Sequence, residues 1–110
     1  MIGKRGLLMA GLAGALVFVV GTTTSASAST LYQVAPNVRL NVHRGPGTSY
    51  QIVKVLPYDA KVNIYCQSPG TTVSGYYGTS SIWDNIGPDQ FVSDAYVNTG
   101  SDGYIAGRCA

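Results

Sequence analysis

Few residues in this 110-residue chain could do chemistry. His43 is the single histidine, Cys66 and Cys109 are the two cysteines, and five aspartates supply every side-chain carboxyl. A nucleophile–base dyad needs a base positioned beside a Ser or Cys in a cleft, and a zinc site usually needs several His/Cys ligands. One histidine in a turn beside Arg44 supplies neither, so it reads as a solvated loop residue. Asp59, Asp89 and Asp102 sit in Pro57-Tyr58-Asp59, Gly87-Pro88-Asp89 and Ser101-Asp102-Gly103, contexts where Asp caps local backbone. A glycosidase pair would need two carboxyls across a sugar cleft, for which so short a chain has little room. Asp94 and Asp102 could take calcium weakly, yet EF-hand spacing is absent. The chain therefore reads as a non-enzyme without cofactor or metal.

The cysteines point to a staple instead. Neither has a CxxC neighbour, and Cys109 lies one residue from the end of the sequence. An even pair in an oxidising compartment most simply forms one disulfide. Closing so long a loop stabilises a fold by ~4 kcal/mol in the chain-entropy account.

The oxidising compartment follows from residues 1–28. Lys4 and Arg5 precede an apolar run from Leu7 to Val20, and Ala26-Ser27-Ala28 offers a small-x-small cleavage site. The run is roughly 14 residues, short of the ~18 expected of a spanning helix. We read it as a cleaved signal peptide, with an extracellular protein behind it and no membrane association after cleavage. Residues 29–110 then form one small domain. Its basic residues are Arg39, Arg44, Lys54, Lys61 and Arg108, balanced by the five aspartates. The formal charge of +2 thus belongs to the leader. A nucleic-acid partner loses its electrostatic case, because phosphate binding needs a surplus of Lys/Arg on one face.

The elements behind these residues read as β-structure. Glutamate is absent, and Gly, Ser, Thr and Tyr are prominent. Leu31 and Val34 suggest a short edge strand ended by Pro36. Val38–Val42 alternates, with Val38, Leu40 and Val42 on one face. Gly45-Pro46-Gly47 turns the chain, Ile52–Leu56 is a second strand, and Pro57–Ala60 is a tight turn. Lys61–Cys66 reads as the cleanest strand, with Val62, Ile64 and Cys66 inward. Gln67–Ser80 is polar and glycine-rich, a loop or irregular hairpin packed on its own side chains. Ser81–Ile86 resumes the sheet, Gly87-Pro88-Asp89 turns it and Gln90–Ser93 returns. Asp94–Tyr96 suits one 3₁₀ turn capped by Ser93, and Val97 closes the pattern. Short strands punctuated by turns predict a small all-β sandwich or barrel.

Three stretches, in order, resemble the bacterial Src homology 3 (SH3-type) domains: Leu40-Asn41-Val42-His43-Arg44-Gly45-Pro46-Gly47-Thr48-Ser49-Tyr50, then Trp83-Asp84-Asn85-Ile86, then Phe91-Val92-Ser93-Asp94-Ala95-Tyr96-Val97. They span roughly residues 38 to 98. The Gln67–Ser80 insertion and the cysteine pair depart from the family pattern and resemble secreted, stand-alone actinobacterial versions. The resemblance implies an SH3-like barrel of about five to seven short strands with one 3₁₀ turn. It also implies a non-catalytic module that recognises cell-wall peptide or glycan, with ligand-contacting aromatics at Trp83 and Tyr96.

If Ile86 faces the core, Trp83, three residues away on a strand, must face the other side. Ile82 leaves that assignment open, so Trp83 reads either as groove or as core. Tyr50 could complete a row with Trp83 and Tyr96, flat rings that offer contact area at low entropic cost. The plain alternative makes both tyrosines rim packing. Arg44 could pair with a ligand carboxylate or stay a solvated loop residue. The rival function is a secreted protein-interaction or inhibitor module acting through Gln67–Ser80. A monomer is expected in either case.

Overall fold

The computed structural model describes residues 30–110, so the expected signal peptide lies outside the described residues. The described chain is all-β. Its strands are β1 (Tyr32–Val34), β2 (Asn41–His43), β3 (Ile52–Val55), β4 (Lys61–Val62), β5 (Cys66–Gly75), β6 (Gly78–Gly87), β7 (Gln90–Ser93) and β8 (Val97–Asn98). One 3₁₀ turn, Asp94–Tyr96, joins β7 to β8. Two antiparallel sheets result, a five-stranded one in the order β3-β2-β7-β6-β5 and a three-stranded one in the order β4-β1-β8.

The core lies between the sheets. Val34, Val62 and Val97 come from the smaller sheet, and Leu40, Val42, Leu56 and Val92 from the larger sheet and its flanks. Burying such a side chain contributes about 1.5–3 kcal/mol, and a core this small needs a staple besides. The staple is present: Cys66 and Cys109 are bonded, with Cα atoms 4.9 Å apart.

Several local expectations hold for the reasons that prompted them. The Ser93 hydroxyl caps the 3₁₀ turn by accepting the Ala95 N–H at 3.2 Å. Asp59 and Asp89 lie in the expected turns; what the structure adds is a left-handed φ at each, 59° and 54°, a conformation Asp tolerates better than most residues. Ile52–Val55 pairs as β3 at the outer edge of the large sheet and is exposed throughout.

Other expectations change. Tyr32–Val34 is the central strand of its sheet, not an edge, because β4 and β8 flank it. In the Val38–Val42 stretch only Asn41 onward pairs, although Leu40 and Val42 are buried as expected. Lys61–Cys66 is not one strand. Lys61 and Val62 pair with β1 in the small sheet, whereas Cys66 begins β5 in the large one. The chain leaves one sheet to enter the other, so the ladder breaks at residues 63–65 while the alternation of side chains persists.

Gln67–Ser80 takes the irregular-hairpin option. It forms all of β5 after Cys66 and the start of β6, closed by Tyr76-Tyr77 ahead of Gly78, whose φ of 114° favours glycine. The irregularity has a local cause. Pro69 has no N–H to give to the ladder, and the register shifts between Pro69 and Val73. That shift releases the Thr71 backbone from strand pairing.

Candidate functional site

The released Thr71 organises a cleft on the large sheet. Its carbonyl accepts the Trp83 indole N–H at 2.9 Å, and its hydroxyl accepts the Thr48 backbone N–H at 3.1 Å. The loop after β2 is thereby drawn over the hairpin. The two chains meet at Gly70, where a Cβ would stand 1.9 Å from the Pro46 carbonyl oxygen and 2.8 Å from Trp83 Cδ1. Only glycine permits that crossing.

Trp83 is consequently sealed, with 1 % of its surface exposed. Of the two readings open for it, groove or core, Trp83 is buried, yet outside the main core cluster. Its direction follows the strand argument, since Ile86 packs on the main core and Trp83 is outside that cluster. Its exposure does not, because the loop and the hairpin cover the opposite face. For His43 the expectation is corrected. It is buried rather than solvated, its ring meets Trp83 edge-on at 5.4 Å and 88°, and its Nδ1–H donates to the Tyr50 carbonyl at 2.8 Å.

A cleft of about 400 Å³ opens above this pair. Trp83 and His43 form its floor; Tyr96, Arg39, Asn41 and Thr48 are among its walls, and no carboxylate lines it. Of the residues expected to make an aromatic row, Trp83 and Tyr96 come together here and Tyr50 does not. Tyr50 is 48 % exposed, but its ring lies against Gly45, where an added Cβ would come within 2.5 Å of Cδ1. Arg44 is exposed outside the cleft. The cation at the wall is Arg39, which also stacks over Tyr58 at 4.8 Å. Sequence reasoning passed over Arg39, though its alternation with Leu40 on a strand-like segment put it on the outward face.

Behind the cleft lies a polar cluster that the motifs did not reveal. Gln67 and Asp84 are 0 % exposed. The Gln67 Nε2–H donates to Asp84 Oδ1 at 2.7 Å, while its Oε1 accepts the Ile105 and Ala106 N–H groups at 2.7 and 2.9 Å. Asp84 Oδ2 and Asp94 Oδ1 find no donor among the described residues, and the two carboxyls face each other. Neighbouring buried carboxyls resist a double negative charge, which favours the protonated form. Burial first, and then the hydrogen bond to Asp94, push the Asp84 carboxyl up to about 8. Asp84 keeps the proton at neutral pH.

A pH dependence follows. Folded Asp84 holds its proton up to about pH 8, whereas an ordinary carboxyl releases it near 3.8. Between those limits the native state binds more protons than the unfolded chain, so stability falls as pH rises across the window. Burial raises Asp94 as well, with the same sign. Urea melts should therefore show greater stability at pH 5 than at pH 9, and Asp84→Asn should shrink the difference. A variant with an unchanged pH profile would show that Asp84 is ionised throughout.

No family model matches the chain. It is 38 % identical over 105 residues to the uncharacterized protein YraI of Bacillus subtilis (strain 168), covering 87 % of both chains. The chain belongs to the YraI family. It is also similar to the uncharacterized protein YraJ of the same organism, at 46 % identity over 81 residues, 64 % of this chain and 66 % of YraJ. The disulfide of this YraI-family chain suits an oxidising, extracellular environment. No helix among the described residues is long and apolar enough to cross a membrane.

Proposed function

We propose that this YraI-family chain is a secreted, non-catalytic recognition module of the bacterial Src homology 3 type, which binds an extended cell-wall peptide or glycan in the cleft above Trp83. The observation that carries this reading is the cleft itself: Tyr96 is its half-buried aromatic wall above the sealed Trp83, with Arg39 and Asn41 as exposed hydrogen-bonding groups at the side. Rings offer flat contact area, and polar side chains fix the backbone of a polymer laid across them. His43 supports binding over catalysis, because its ring is buried and its Nδ1 is already engaged by a carbonyl.

Co-sedimentation with purified peptidoglycan tests the proposal. The protein should pellet with the wall, and Arg39→Ala, an exposed change, should weaken retention roughly tenfold, as expected for losing a charged hydrogen bond. Failure of the unmodified protein to sediment would exclude the wall ligand.

A second reading, a protein-interaction or inhibitor module acting through residues 67–80, draws on the hairpin tip. Tyr76 is 60 % exposed and meets the Tyr77 ring edge-on at 4.8 Å. Under that reading Tyr76→Ala disrupts complex formation with a secreted protein, and Arg39→Ala does not.

A further inference from the structure

We propose that the ligand of the cleft runs on over Arg39 into a second hollow at the edge of the large sheet, and that it is an extended peptide bearing a carboxylate beside an apolar side chain. This occupancy rests on the reading of the cleft as a recognition groove, to which it adds a second subsite and a charge.

The second hollow has a volume of about 280 Å³ and is lined by Arg39, Val55, Leu56, Pro57 and Tyr58. Arg39 is the residue that it shares with the cleft. The two are also joined through the sheet. Asn41 on β2 pairs with Val55 on β3, so their side chains stand together on one face. Asn41 lines the cleft and Val55 the hollow. A chain that leaves the cleft on this side passes over the Arg39 guanidinium.

The lining selects the occupant. Val55 and Tyr58 are 51 % and 53 % exposed around the hollow, apolar surface that suits an aliphatic side chain of an extended peptide. Arg39 is the single Lys or Arg in either lining, and neither lining holds an Asp or Glu. Arginine keeps its charge at any working pH. Its Cζ stands 4.8 Å from the centre of the Tyr58 ring, a cation–π contact that fixes a long side chain before the ligand arrives and lowers the entropy cost of binding. Most of the five guanidinium N–H donors stay open, and a carboxylate takes two of them side by side. One cation matches one carboxylate. A phosphate dianion would leave charge unmatched, and a neutral saccharide would leave the cation without a counter-charge.

Two blocked tripeptides supply the test: acetyl-Leu-Glu-Leu-amide, and the same peptide with glutamine in place of glutamate. Titrated into the ¹⁵N-labelled protein, the glutamate peptide should give saturable amide shifts in the cleft, at Asn41 and Thr48, and in the hollow, at Val55 and Tyr58. It should bind roughly tenfold more tightly than the glutamine peptide, by a margin that shrinks as salt is raised. Arg39→Gln should abolish the preference, and Tyr58→Ala should weaken both peptides roughly two- to tenfold. Both side chains are exposed, so neither change touches the core. The proposal is overturned if neither peptide saturates, if the two bind alike, if the shifts stop at the cleft, or if either variant behaves like the parent protein. Chitotetraose shifting both sets of amides where the peptides do not would make the occupant a glycan and reject the peptide. Failure here beside sedimentation with peptidoglycan removes the second subsite and leaves the wall ligand standing. The expected peptide binding without sedimentation does the reverse.

Discussion

Replacing Gln67 with leucine should remove about 3–5 kcal/mol of stability, although the side chain touches no ligand surface and the two residues are similar in size. Three partners lose their mate at once: the buried Asp84 Oδ1 loses a donor, and the half-buried Ile105 and Ala106 N–H groups lose an acceptor. An orphaned buried group costs about 1–3 kcal/mol, less at the two half-buried amides where the C-terminal segment can move toward water. Against a total of ~5–15 kcal/mol for a domain, that loss is large. Urea denaturation measures it, and hydrogen exchange locates it: the amides of Ile105 and Ala106 should lose protection before those of β6. A loss under 1 kcal/mol would mean that water takes over the role of the amide.

Breaking the Cys66–Cys109 bond should cost a similar amount. The bridge closes a sequence separation of 43 residues, for which loop entropy gives ~4 kcal/mol. In a domain of this size that corresponds to a fall in Tm of roughly 20 °C, readable by calorimetry on the Cys66→Ser/Cys109→Ser double variant. The two predictions are coupled. Gln67 also donates its backbone N–H to the Gly107 carbonyl at 2.9 Å and accepts the Cys109 N–H at 3.0 Å. The side chain, the backbone bridge and the disulfide all hold the same C-terminal segment against β5. Once one of them is gone the segment frays, and the others have less to hold. The combined variant should lose at least ~1 kcal/mol less than the sum of its parts. Strict additivity would show that the segment stays docked without either anchor.

What could be read from the chain alone was whatever depends on neighbours in sequence. The 3₁₀ turn with its Ser93 cap, the turns at Asp59 and Asp89 and the alternation that buries Leu40 and Val42 are local matters of backbone sterics and period-two patterning. The disulfide was legible as well, because only two cysteines are present. Pairing partners were not. Lys61–Cys66 alternates like one strand yet serves two sheets, and Tyr32–Val34 becomes a central strand only when β4 and β8 arrive from far along the chain. The candidate site followed the same division. Trp83 packs apart from the core cluster, one of the two orientations that strand periodicity allowed, but the loop that covers it is held by a Pro69 bulge and a glycine crossing with no motif of their own. Gln67 looked like one polar residue in a polar stretch. Only the folded chain, by bringing residues 38 and 39 positions away against its amide oxygen and Asp84 against its nitrogen, turned it into an anchor. Burial decides the energy of a polar group, and burial is a property of the tertiary structure.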